Sequence, residues 1–368
     1  TEASVRSSEL MAHREKLVLL PPNRVWRTYP GGATLDRHSG SAAPKDSHLA
    51  EDWIGSVTRS RIPGREELYE GVSQVIVGGE SHDFRKLIDS DAAYFLGEAH
   101  VARHGAEPML LVKFLDSAIR LHFQCHPSRE FAQKYLNSPS GKTEAYHILG
   151  VRDGVTEPYF YMGFQNPPAP PELRGWIETQ DTAAMEQCFE KIPVSIGDTF
   201  LIPGGFPHAL GEGVFMIEIQ EPTDFAVRYE FERGGYVLPE AARFMGRGLD
   251  FGLSLINFDR IPRETIERDY RCRPRLLRDL GTGSLQNELI GAAQTQCFRV
   301  LKTLLAGPAT KSEASFHIGI VTAGACTVSV GGETHQLRRY DKFFCPAGLA
   351  LNYAPSPACE ILECLPPV

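Results

Sequence analysis

Apolar positions along this chain fall in short runs separated by glycine, proline and small polar residues, a pattern that predicts strands. Runs of this kind occupy 17–29 (broken by Pro21-Pro22), 53–57, 109–115, 145–151, 158–164, 194–196, 199–202 and 214–220. From about residue 270 onward, short strands alternate with turns such as Gly331-Gly332 and Pro346-Ala347-Gly348, as in an all-β sandwich or barrel. The period becomes helical in four places. Ser81 is the candidate cap of a helix reaching about Leu96, with Phe84, Leu87 and Ile88 on one face. Further helices are expected over 128–137 and 182–191, and over 233–257 from the spacing of Ala241, Phe244, Met245 and Leu249. The segment 37–52 reads as an exposed loop. The proline-dense stretch 167–171 reads as a rigid connector or a lid, and the polar residues 1–16 as a frayed end.

Totals narrow the class. The chain has 368 residues, 42% apolar and 23% charged, enough for about two domains with sizeable cores. A formal charge of −8 and a pI near 5.9 give no electrostatic footprint for nucleic acid. No apolar run approaches the ~18 residues of a membrane span, and the first 25 residues lack the apolar core of a secretory signal. Eight cysteines without a C-x-x-C pair fit reduced, mostly buried thiols and a cytoplasmic location.

Candidate chemistry gathers around residues 121–144. In an extended strand His122, Gln124 and His126 project from one face, Cys125 from the other, and Pro127 closes the strand. Gly141-Lys142-Thr143-Glu144 then opens the next, so an amide, an imidazole and a carboxylate converge, all of them metal-ligand types. A second motif, Gly197-x5-Pro203-x-Gly205-x2-His208, places a turn, a strand end and a close backbone reversal ahead of another histidine. Its spacing is that of the second signature motif of cupins. Tyr340-x5-Pro346-x-Gly348-x2-Leu351 repeats the frame with leucine at the ligand position, as in a second barrel that holds no metal. Lys113, inside an apolar run, is either an edge residue or part of a site.

On these residues the sequence resembles the type I phosphomannose isomerases, in their compact bacterial form. The likeness is carried by Ala50-Glu51-Asp52-Trp53-Ile54, by residues 110–116, by Gln124-Cys125-His126-Pro127, by Gly141-Lys142-Thr143-Glu144, and by 202–228 with Glu218, Asp224 and Arg228 in register. It implies a mainly β fold of two cupin-like jelly-roll barrels with a few helices. The expected divisions are a catalytic domain over 17–235, a helical crossover over 236–269, and a C-terminal cupin-like domain over 270–368 without metal ligands. It implies one zinc ion held by Gln124, His126, Glu144 and His208. The implied reaction interconverts mannose 6-phosphate and fructose 6-phosphate through a cis-enediol. Arg228, Lys142 and Glu218 are then the expected catalytic groups, and Lys113, His122, Asp224 and Arg233 the expected substrate contacts.

Two departures lie where the family holds the phosphate. His122 replaces a small hydroxyl residue, and the segment after Arg228 is one residue short, leaving Arg233 to supply a basic group. A different or unphosphorylated sugar, and a non-catalytic sugar- or metal-binding cupin, therefore stand as alternatives. The expected partner is a small sugar phosphate, with no nucleic acid and no membrane, for a monomer or homodimer.

Overall fold

A strand buried on both faces reads as an unbroken apolar run, and a middle layer of such strands organises the structure. The computed structural model describes residues 12–368, so the expectation for residues 1–16 falls mainly outside it. Its middle layer is a six-stranded sheet in the order 199–202, 144–151, 214–220, 111–116, 51–54, 24–25. One face packs on a five-stranded sheet ordered 192–193, 159–162, 208–210, 124–125, 227–228. The other packs on an eleven-stranded sheet made mostly of residues 275–365, which also takes in Val18–Leu19, Gln74–Val77 and Glu80–Asp83. The fold is mainly β, with the double-sheet architecture of cupins.

Register decides which side chain faces which layer. Glu218 pairs with Lys113 on one side and Tyr146 on the other, Trp53 pairs with Lys113, and Gln220 with Glu144. Paired antiparallel residues share a face, so Glu51, Trp53, Lys113, Glu144, Tyr146 and Glu218 all point to the five-stranded sheet. The alternate residues, among them Ile54, Val112, Phe114, Ala145, Leu149, Ile217 and Ile219, join Val75, Val300, Ile318, Phe344 and Leu362 in the largest core cluster. Lys113 is therefore no edge residue: it is 1% exposed, with strands on both sides.

Thr199–Ile202 and Val214–Gln220 form as expected, and the strand near 145–151 begins one residue earlier, at Glu144. The helix after the metal-type motif is Arg129–Tyr135, capped by Ser128, whose hydroxyl accepts from Phe131 N at 3.1 Å. Several expectations need correction. Ser81 lies in the strand Glu80–Asp83, and Asp83 caps the following helix by accepting from Lys86 N at 3.0 Å. That helix stops at Ser90, and two short ones follow, Ala92–Leu96 and Glu98–His104. The helix expected over 182–191 ends at Glu186, and the strand expected at 194–196 is Ile192–Pro193. The proline-dense stretch leads directly into a helix, Pro170–Thr179, because proline suits the first helical turn. The period in 233–257 does not make one helix: Met245 has φ of 56°, and a 3-10 turn at Glu240–Ala242 precedes the helix Gly248–Ser254.

The repeated turn frame has a structural counterpart. Gly197 has φ of 93° and Tyr340, at the matching position, 73°. His208 and Leu351 each begin the strand that follows. All eight cysteines are free, and all but Cys272 are buried. No helix among the described residues is long and apolar enough to cross a membrane.

Candidate active site and metal centre

The two inner sheets meet at a buried group of ligand-type side chains. The six-stranded sheet supplies Glu144. The five-stranded sheet supplies Gln124 and His208, whose backbones pair, and His126 follows directly after Cys125. Close packing holds these elements together: Lys142 N donates to Pro127 O at 2.9 Å, and a Cβ on Gly141 would lie 2.4 Å from that same oxygen. One ligand atom each from His126, Glu144 and His208 falls within 4.8 Å of the others.

Hydrogen bonding fixes the tautomers. His126 Nδ1 donates to Phe225 O at 2.8 Å and His208 Nδ1 to Phe206 O at 2.9 Å, so both rings turn an Nε2 lone pair inward. His208 Nε2 has no hydrogen-bond partner among the described residues, yet lies 3.0 Å from Glu144 Oε1. Two lone pairs facing each other at that distance repel unless a cation lies between them. His126 Nε2 and Glu144 Oε2 both face Lys142 Nζ, at 3.1 Å each, so these atoms too converge on positive charge. Tyr146 OH donates to Glu144 Oε1 at 3.0 Å and orients it. Two imidazoles and a carboxylate are a donor set that fits zinc, and Gln124, paired with His208 across the ladder, lines the adjoining cavity.

Next to this group the six-stranded sheet carries a chain of alternating charges. Lys142 lies 3.5 Å from Glu218, Glu218 3.6 Å from Lys113, Lys113 3.5 Å from Glu51, and Glu51 3.3 Å from Arg27. Burial and then the charge of Glu144 raise the carboxyl of Glu218 to about 7, against Lys142 and Lys113. Burial also opposes ionisation of Glu51, but Arg27 and Lys113 outweigh it and hold that carboxyl down at about 2. Lys142 would be lowered by burial, and Glu144 and Glu218 more than offset this. Glu218 Oε1 has no hydrogen-bond partner among the described residues. It borders a small enclosed cavity of about 30 Å³ that Lys113, Lys142, Gln124 and Arg228 also line.

The other expected site residues divide. Arg228 is buried, borders this cavity and donates to Ala242 O at 3.0 Å. It makes no ion pair within 4.0 Å among the described residues; Glu230 is taken by Arg120 at 2.6 Å. Burial, with Arg27 nearby, lowers its guanidinium to about 10. His122 borders the same cavity, but both its nitrogens face backbone carbonyls, Glu230 O at 2.9 Å and Thr28 O at 3.4 Å. Burial, with Arg228, holds its ring down at about 4 and therefore neutral. Asp224 is saturated, accepting from Arg27 at 2.9 and 3.2 Å and from Arg61 N at 2.7 Å. Arg233 is half-buried and donates to Arg120 O at 2.8 and 3.0 Å, away from the cavity.

Two groups of this network had been assigned no role from sequence. Glu51 is its hub, accepting also from Tyr29 OH and Trp53 Nε1 at 2.8 Å each. The alternation of Glu51 with Trp53 on one strand face was the available signal. Arg27 was not signalled at all; only the fold brings it to Glu51 and Asp224.

No family model matches the chain. Among curated proteins, mannose-6-phosphate isomerase of Streptococcus mutans is 27% identical over 240 residues, 64% of this chain and 68% of that protein. Mannose-6-phosphate isomerase ManA of Bacillus subtilis is 31% identical over 125 residues, 34% of this chain and 38% of that one. Among solved structures, mannose 6-phosphate isomerase of Bacillus subtilis superposes with a TM-score of 0.71 at 19% identity, covering 95% of this chain and 99% of that one. A variant of phosphomannose isomerase from Salmonella typhimurium gives 0.67 at 15% identity, covering 96% and all of that chain. By sequence and by fold alike, this chain is similar to mannose-6-phosphate isomerases.

Proposed function

We propose that this protein is a zinc-dependent aldose–ketose isomerase acting on mannose 6-phosphate and fructose 6-phosphate. The observation that carries this reading is Glu218: a buried carboxyl bordering a cavity, its Oε1 without a hydrogen bond among the described residues but 3.5 and 3.6 Å from two lysines, on the same sheet face as the candidate ligand Glu144. A buried carboxyl beside a cavity and flanked by two cations is suited to take and return a proton. The relatives' names and a neighbouring structure described as mannose 6-phosphate isomerase bound with zinc and yttrium point the same way.

His126, Glu144 and His208, with Gln124, would hold the metal. When bound, it supplies Lewis-acid polarisation of the sugar's carbonyl and neighbouring hydroxyl. The remaining work falls to the chain. Glu218 takes the proton from C2 of the aldose and returns it to C1, while the hydroxyl proton passes from O2 to O1, giving the ketose by way of the cis-enediol with no net gain or loss of protons. Lys142 and Arg228 provide positive charge where the enediolate oxygens develop theirs. Lys113 holds Glu218 in place from the opposite side, and Asp224 and Glu51 fix Arg27 behind it. The enclosing sheets exclude water, which protects the enediolate from side reactions.

A coupled assay on metal-loaded protein tests the reading. Turnover of mannose 6-phosphate should be lost on chelation and restored by zinc. Absence of turnover in zinc-loaded protein, with any hexose or hexose phosphate, would refute it.

A further inference from the structure

The groups that resemblance assigns to the phosphate end are already engaged. His122, neutral, has a single N–H, which Glu230 O takes at 2.9 Å while its other nitrogen lies 3.4 Å from Thr28 O, and Arg233 donates to Arg120 O away from the cavity. The inner cavity, about 30 Å³, has room for little more than a water or two. Of the cations lining it, Arg27, Lys113 and Lys142 each pair with a carboxylate, which leaves Arg228, and Arg228 also borders a second space.

On the other side of Arg228 and Ala226, which border both spaces, lies an open cleft of about 500 Å³. That is the size of an ordinary small-molecule site. Its charged lining is Arg59, Arg61 and Arg228 against Glu66 and Asp224. Asp224 is saturated by Arg27 and by the backbone of Arg61, so the cations predominate. Arg61 is exposed, lies 5.4 Å over the Phe225 ring and has no carboxylate within 4.0 Å among the described residues. Arg59 stacks 4.0 Å over Tyr69 and donates to Glu66 O at 2.8 Å, with the rest of its guanidinium uncommitted. The position relative to the metal centre is fixed by one residue: Phe225, under Arg61, supplies the carbonyl that orients His126.

We propose that this outer cleft holds the anionic group of the substrate, with Arg61 as the principal contact and Arg59 as its support. The proposal rests on the isomerase reading for the identity of the substrate, a sugar phosphate. The phosphate would be gripped outside Arg228 while the reacting carbons reach past it to Glu218. A planar guanidinium suits a phosphate because it offers paired donors. Asp224 then acts as a positioning residue, anchoring the Arg61 backbone to Arg27.

Inorganic phosphate is the probe. Its binding to the zinc-loaded protein is measured by calorimetry, and its competitive inhibition by steady-state kinetics, for the parent, Arg61→Ala and Arg59→Ala/Arg61→Ala. We expect Arg61→Ala to weaken phosphate binding and raise KM for mannose 6-phosphate by about tenfold or more, as for loss of a charge-assisted hydrogen bond. KM should move further than kcat, and Arg61→Lys should recover part of the loss. Thermal melting checks that the exposed substitutions leave the fold intact. Phosphate binding absent in the parent, or unchanged in the double variant, overturns the proposal. Binding that is lost in the variants, in a protein that turns over no sugar, would keep the anion site and remove the isomerase reading.

Discussion

His147 offers a test of how the layers are joined, independent of catalysis. It projects from the strand Glu144–Val151 away from the metal centre, between Ala145 and Leu149, which belong to the core shared with the C-terminal sheet. Its ring is 1% exposed, and Nδ1 meets Thr199 Oγ1 at 2.8 Å. Burial, with Lys302 adding to it, lowers its pKa from 6.5 to about 3. A depressed histidine leaves stability intact above the unfolded value of 6.5 and removes it as pH falls from there towards 3. At pH 5 the unfolded chain is almost fully protonated at this site and the folded chain only about one part in a hundred. The difference is about 2 kcal/mol lost between pH 8 and pH 5. Glutamine at this position can still hydrogen-bond to Thr199 and does not titrate. Urea unfolding of the parent and of His147→Gln, at pH 8, 6.5, 5.5 and 5, is the assay. Terms common to both proteins, including proton-linked metal release, cancel in the difference. The variant should lose about 2 kcal/mol less than the parent over this range. Parallel pH dependence, within about 0.5 kcal/mol, would mean that His147 accepts a proton in the folded state and that the joint is wetter than the structure has it.

Three further substitutions test the site. Tyr146→Phe removes the hydroxyl that orients Glu144 and should lower zinc affinity about 10- to 100-fold in a chelator competition; unchanged affinity would make the hydrogen bond incidental. Lys113→Met strips the cation between Glu51 and Glu218 and should cost about 3–5 kcal/mol in chemical unfolding, less if the two carboxyls share a proton instead. Its kcat–pH profile should shift upward, since Lys113 is one of the charges holding the Glu218 carboxyl down. His122→Ser should leave KM for mannose 6-phosphate within about threefold, because the anion is held at Arg61; a large fall in KM would return the phosphate to the His122 side.

The same layering decides what could be read from the sequence. Val214–Gln220 and Thr199–Ile202 were legible to the residue because the middle sheet is buried on both faces and its strands are bounded by turns. The ligand-type residues were legible because three of them sit in two short segments that Pro127 and Gly141 bring edge to edge, and the fourth ends a turn motif with fixed spacing. Helix ends were poorly legible: Asp83 and Ser81 are both good caps two residues apart, and only strand pairing with Gln74–Val77 decides between them. The partner of Lys113 was not legible, since it is set by register across three strands from distant parts of the chain.

A lysine in an apolar run is costly alone, but in the middle sheet its neighbours across the ladder are Glu218 and Trp53, with Glu51 one position beyond. The sheet that gives the protein its largest core on one face thus sets a row of charges at fixed spacing on the other. A register slip of one residue in Leu111–Asp116 or in Val214–Gln220 would exchange that strand's faces, burying Lys113 or Glu218 in the hydrophobic joint and turning Phe114 or Ile217 towards the candidate metal ligands. Hydrophobic burial on the core face is therefore what holds Lys113 and Glu218, the proposed acid–base groups, in place, so mutations that loosen the joint, far from any substrate, should reduce turnover before they unfold the protein.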